Sequence, residues 1–165
     1  MTTATADQIR NALAAVLREL IDGADPDTGW ALNPGDRGLL ASLDALSAAA
    51  ASARPVGRSS IAAHVDHLRY GLELLNRWAG GEKNPFADAD YAASWRRQEV
   101  SEAQWRELCD ALARQSRGWM IAVQQPRDWD DVELTGILAS AVHLAYHLGA
   151  IRQIDPAARG PAARD

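Results

Sequence analysis

Apolar residues recur at three- and four-residue spacings in five stretches of this chain, and no alternating stretch competes with them as a strand. The first stretch runs from about Thr5 to Asp22 through Ile9, Leu13, Val16, Leu17, Leu20 and Ile21, and Gly23 with Asp25-Pro26-Asp27 ends it. A loop holding Gly29, Pro34 and Gly35 leads to a second predicted helix, from about Asp36 to Ala51, which Arg54-Pro55-Val56-Gly57 breaks. Ser59 or Ser60 then caps a long helix reaching about Ala79, with Ile61, Val65, Leu68, Leu72 and Leu75 inward and Gly80-Gly81 as its stop. Residues 80–100 read as a loop with room for a short turn, and a loop of that length is usually functional or folded over a site. Ser101-Glu102-Ala103-Gln104 has the spacing of a capping box and opens the fourth helix, which closes at Gln125-Pro126. The last predicted helix spans about Val132 to Ile154 and stops at Asp155-Pro156.

Long helices joined by short or moderate connections predict an all-α fold, an up-down four-helix bundle with one extra short helix. The expected organisation is one helical domain over residues 1–155 and a loose tail over 156–165. At 165 residues with 47% hydrophobic and 24% charged residues, the chain can bury a core without staples. The net charge of −5 and the scattered arginines, with Lys83 the only lysine, argue against nucleic-acid binding. A single cysteine, Cys109, excludes an internal disulfide framework and fits a reducing compartment. The residues Met1 to Asp7 lack the basic start and apolar run of a signal peptide. No run reaches about 18 uninterrupted apolar residues, so no membrane span is expected. These features together predict a cytoplasmic protein.

The four histidines change the picture from fold to chemistry. They fall in two pairs, His64 with His67 and His143 with His147, each on an apolar helix whose burial would make an unpartnered imidazole costly. His143 and His147, four residues apart, lie about 40° apart around a helix and one turn along it, so both rings can reach one ion. His64 and His67, three apart, lie about 60° apart, a looser spacing on one face. If the two helices are neighbours, the histidines converge, and imidazole donors suit Zn, Ni, Cu or Fe. Three such ligands with open positions is the arrangement of catalytic rather than structural sites. Only one of His64 and His67 is required. The stretch from His143 to His147 lacks the glutamate that follows the first histidine in zincin proteases, and no Glu-x-x-His of a di-iron bundle occurs.

Two segments carry a resemblance. Ser60-Ile61-Ala62-Ala63-His64-Val65-Asp66-His67-Leu68 is similar to the helix start of the DinB-like (DinB/YfiT) superfamily, in which a Ser or Thr followed by an apolar residue stands seven positions before a ligand histidine. From Ser60 that position is His67. The segment His143-Leu144-Ala145-Tyr146-His147-Leu148-Gly149-Ala150-Ile151-Arg152-Gln153-Ile154 resembles the closing H-x-x-x-H helix of the same superfamily. The resemblance implies a four-helix bundle holding a divalent metal, Zn or Ni first and Fe or Mn as alternatives, on His67, His143 and His147. His64 departs from the apolar residue usual at its place and is expected to stand behind a ligand histidine or to serve as an alternative ligand. The resemblance further implies a bacterial source, a homodimer, and a metal-dependent enzyme acting on a small molecule, the best-known version being an S-transferase of a low-molecular-weight thiol such as bacillithiol or mycothiol. A metal-dependent hydrolase and a damage-response metal module without turnover are the alternatives.

Around these residues the expectations are plainer. Gly71, one turn after His67, leaves room for a substrate or for the facing helix. Asp66 and Tyr70 are candidates to orient an imidazole or water, although a solvated face is the better expectation for Asp66. Arg152 is expected to pair with a carboxylate rather than to meet substrate, and Tyr146 to be core or interface. Core and helix-end packing accounts for most of the six tryptophans, with Trp95 or Phe86 closing over the histidines as the lesser alternative. Cys109 reads as a small buried hydrophobe.

Overall fold

The computed structural model describes residues 5–163, so the expectations for Met1 to Ala4 and for the last two residues lie outside it. Seven α-helices and no strand occur among the described residues: α1 (Ala6–Asp22), α2 (Gly38–Asp44), α3 (Ala48–Ser52), α4 (Ile61–Ala79), α5 (Tyr91–Ser94), α6 (Glu102–Gln124) and α7 (Asp131–Ile154). Two of the four long helices, α4 and α6, start on the caps read from the sequence, and α1 and α7 start on capping boxes that were not. The hydroxyl of Ser60 accepts from the Ala63 amide, and Ser101 with Gln104 forms a reciprocal capping box. Asp130 and Glu133 form another at the start of α7, and Thr5 and Gln8 at the start of α1.

The predicted helix over 36–51 is instead two short ones. Ser47 adopts extended backbone and caps α3 by accepting from the Ala50 amide, so a second N-terminus begins where the apolar spacing alone reads as continuous. Gly38 supplies the positive φ of 73° from which α2 starts, and a Cβ there would sit 2.5 Å from the Gly23 amide nitrogen.

Each long helix packs against two others: α6 and α7 both lie beside α1, and both lie beside α4. The core between them is aliphatic, built on Leu17, Leu20, Ile21, Ile61, Leu68, Leu112, Ile137, Leu144 and Ile151. Two buried tryptophans of α6 satisfy their indole N–H groups across it, Trp105 to the Leu46 carbonyl at 3.0 Å and Trp119 to Ser140 Oγ at 2.9 Å. Cys109 is partly buried against this core, and burial pushes its thiol up to about 12.

Helix α7 departs from the expectation drawn from uninterrupted runs. It is long and apolar enough, by length and composition, to cross a membrane, with a mean hydropathy of 1.4. No charged side chain occurs between Glu133 and Arg152, and only Thr, Ser, Gly, Tyr and His interrupt the apolar residues. Its inner face packs on α1 and α4, while Leu138, Val142 and Tyr146 on its outer face are exposed, so 39% of the window is buried. Tyr146, expected in core or interface, is 67% exposed.

The segment after α7, expected to be loose from Ala157, is held to the fold as far as Pro161. Residues Pro156–Ala158 form a 3₁₀ turn, Asn33 Nδ2 donates to the Pro161 carbonyl, and Arg37 donates to the Ala157 carbonyl. Beneath it Arg152 makes a bidentate pair with buried Asp36, at 2.6 and 2.9 Å, as its expected carboxylate partner. Replacing Asp36 with Ala leaves that guanidinium partly buried and unpaired. The variant is expected to lose about 3 kcal/mol in urea denaturation; a loss below about 1 kcal/mol would show that the pair contributes as little as a surface one.

Candidate metal centre

The histidines meet because α4 and α7 run side by side in opposite directions. His64 faces His147, His67 faces His143, and farther along Trp78 lies opposite Val132. On α4 the positions 64, 67, 71, 75 and 78 form one helical stripe, and on α7 the positions 147, 143, 140 and 136 form the other. Helical spacing thus places the imidazoles at one end of a shared seam.

Three of the four rings point the same nitrogen at a common point. His143 Nε2 lies 3.2 Å from His67 Nε2 and 2.9 Å from His147 Nε2. One ligand atom from each of His67, His143 and His147 lies within 4.8 Å of the others, close enough to bind a metal ion. Donors about 2.05 Å from one cation stand about 2.9 Å apart at a right angle and about 3.3 Å apart at a tetrahedral angle. The two observed edges match that range.

The outer nitrogens of His67 and His147 are each engaged, and for His67 the partner fixes the tautomer. Ser94 Oγ donates to the Tyr91 carbonyl at 2.7 Å, so toward His67 Nδ1, at 2.9 Å, it acts as acceptor. His67 therefore carries its proton on Nδ1 and leaves the Nε2 lone pair free. His147 Nδ1 lies 2.8 Å from His64 Nδ1. With His147 donating to His64, its Nε2 lone pair is free as well. His64 thus stands behind His147, as Ser94 stands behind His67, in the orienting role that outer partners take at metal sites.

An aromatic cap covers the cluster. The Trp95 ring stacks on His67 with centroids 4.4 Å apart and planes 25° apart, and meets His64 edge-on at 5.1 Å. Four contacts hold the segment bearing α5 and Trp95 onto α4. The Asp90 amide donates to Tyr70 Oη at 3.0 Å, and His67 donates to Ser94. Arg97 donates to Asp66 at 3.0 Å, and the Ser60 amide donates to Gln98 Oε1 at 2.9 Å. Asp66 is buried and also accepts from Arg69 at 2.8 Å, so it is neither on a solvated face nor beside an imidazole; it anchors the cap. Tyr70 does the same.

Burial and mutual proximity keep the rings neutral. Burial first, then the charges of His143 and His64, bring His67 down to about 4. Burial and the other three imidazoles bring His147 down to about 3, and burial lowers His64 and His143 as well. Neutral imidazole is the form that ligates a cation.

Sequence reasoning named all four histidines and placed Trp95 only as a lesser alternative; it missed Ser94 as a partner of His67. The one available signal was Asp90, which caps a short helix by accepting from the Ala93 amide and so turns the chain back toward α4. Comparison with models of known protein families, with curated proteins and with solved structures returns no match to this chain.

The lowered histidines set a pH dependence for the protein stripped of metal. Their folded values lie below the unfolded value near 6.5, so between these limits the unfolded chain binds more protons. Stability is whole above about pH 6.5 and falls as the pH drops toward 4. Chelator-treated protein is expected to show a melting temperature that declines steadily from pH 7 to 4, with a shallower decline in His147→Gln. A flat profile, or the same slope in the variant, would contradict it.

Proposed function

We propose that the protein is a divalent-metal-dependent enzyme of DinB-like type, whose ring of four long helices is an up-down four-helix bundle and whose ligands are His67, His143 and His147. The observation that carries this reading is the convergence of the Nε2 atoms of three histidines, with the remaining nitrogens of His67 and His147 already engaged. No carboxylate or thiolate joins the cluster among the described residues, and three imidazoles favour Zn or Ni over the oxygen-loving cations. When bound, such an ion supplies Lewis acidity that deprotonates a coordinated thiol or lowers the pKa of a coordinated water.

The chain's own residues position rather than transfer protons. Ser94 fixes the tautomer of His67, His64 engages the outer nitrogen of His147, and Trp95 keeps water from one side of the cluster. Asp66, Tyr70 and Arg152, the side chains that sequence offered as acid, base or anchor, are each engaged elsewhere. A reaction that needs no protein base fits this set best, and transfer of a low-molecular-weight thiol to an electrophile is such a reaction. Beside the histidines the Tyr91 phenol, its ring 6.2 Å from that of His67 and its pKa raised by burial, is the remaining acid candidate among the described residues, and so thin a set favours, as a second reading, a metal-binding module without turnover. Homodimerisation belongs to the proposal, and the exposed Leu138 and Val142 on α7 give it an apolar surface to cover, testable by sedimentation velocity.

Metal content and thiol consumption test the reading together. His67→Ala, His143→Ala and His147→Ala are expected to lose stoichiometric Zn or Ni by plasma mass spectrometry. His64→Ala is expected to retain metal with about 10- to 100-fold weaker affinity in chelator competition. Equal loss in all four variants would make His64 a fourth ligand and close the position a substrate needs. Metal-loaded protein that consumes no thiol with any electrophile supports the module without turnover instead.

A further inference from the structure

The seam that brings the histidines together continues past them as an open apolar groove. From His143 it is lined by Leu68, Gly71, Leu72, Ala139 and Leu144 in a cavity of about 290 Å³. A second cavity of about 180 Å³, reaching Trp78, Val132, Ile137 and, at its far end, Glu133, whose carboxylate accepts from the Asp130 amide, shares Leu75, Phe86 and Gly136 with the first. The two are one channel along α4 and α7. Its width comes from missing side chains: a Cβ on Gly71 or on Gly136 would meet nothing within 4 Å. Both glycines interrupt helices, where Gly is disfavoured, and neither is needed for close packing.

We propose that this groove is the subsite for an elongated, uncharged apolar tail of the substrate, whose metal-binding head lies at the histidines. The inference rests on the metal reading above and adds the class of molecule to it. Along the length that adjoins His143 the walls carry no charged side chain; Tyr91 brings one phenol beside the histidines, and Ser140 is already committed, accepting from Trp119 and donating to the Ile137 carbonyl. A polyhydroxylated group would leave its hydroxyls unpaired here, whereas each buried methylene gains by leaving water. From His67 to Trp78 the α4 axis advances about 16 Å, which accommodates an extended chain of roughly eight to ten carbons. Gly71 and Gly136 are then the positions that set tail length.

A series of straight-chain hydroxamates, from acetohydroxamate to octanohydroxamate, tests this by calorimetric binding to zinc-loaded protein. The head alone reports the metal, and the tail reports the groove. Kd is expected to fall roughly three- to fourfold per methylene across the series. In Gly136→Leu and Gly71→Leu that gain is expected to vanish while acetohydroxamate binds as before. Leu favours a helix over Gly, so neither variant is expected to unfold. Gly149→Leu, at an exposed position of α7 outside the groove, is expected to keep the full gain. Acetohydroxamate binding with no gain for longer tails would overturn the groove and leave the metal reading standing. A gain that persists in both groove variants would also overturn it, because the tail would lie elsewhere. Protein that takes up no zinc, or zinc that binds no hydroxamate, would overturn both readings.

Discussion

A neutral imidazole nitrogen away from water needs a proton to accept, a proton to give, or a cation. The structure around α4 and α7 meets that demand at the outer nitrogens of His67 and His147. Ser94 takes the proton of His67 Nδ1, and His64 faces that of His147, which leaves the inner nitrogens directed at one another within 3.2 Å. His67 Nε2 and His147 Nε2 both face His143 Nε2, which as an N–H could serve them only through one shared proton and as a lone pair completes a three-nitrogen cation site. A cation between the three nitrogens would satisfy all of them at once, and on the proposed reading Ser94, His64 and Trp95 serve the same ligand set.

That constraint reaches well beyond the cluster. For the cap to stay over His67, the segment 90–98 must be fixed, and Asp66, Tyr70 and Ser60 of α4 and its N-cap each hold one point of it. The helix that offers His64 and His67 therefore also carries the anchors of their cover. Helix α7 supplies the other pair from a face buried against α1 and α4, and the Arg152–Asp36 pair ties its last turn to the start of α2. Where the seam leaves the histidines, Gly71 and Gly136 keep the helices' facing sides clear, so the rigid end and the open end belong to one pair of stripes.

Much of this was legible because helices repeat. The caps at Ser60 and Ser101 and the stops at Gly23, Gly80 and Asp155 are local signals, and the structure's long helices begin and end on them within a residue or two, whereas the Asp130 cap of α7 went unread. The two histidine pairs were legible for the same reason, since spacing of three and four fixes a shared face. What was not legible depends on contacts across the chain. Ser94 lies 27 residues from its partner, and the Asp90 cap before it marks a turn but not the imidazole it meets. Asp66 sits next in sequence to a ligand candidate, yet points to Arg69 and Arg97. The break at Ser47 and the packed segment up to Pro161 depend on a single cap and on distant hydrogen bonds that periodicity does not register.

A crystal structure of zinc- or nickel-loaded protein, with anomalous scattering collected at the metal's absorption edge, tests the central claim most directly. The account predicts one peak between α4 and α7, about 2.0–2.1 Å from Nε2 of His67, His143 and His147. Ser94 and His64 would remain hydrogen-bonded behind the ligands, and at least one coordination position would stay free of protein. A peak elsewhere, or three rings turned apart with no metal between them, would contradict it.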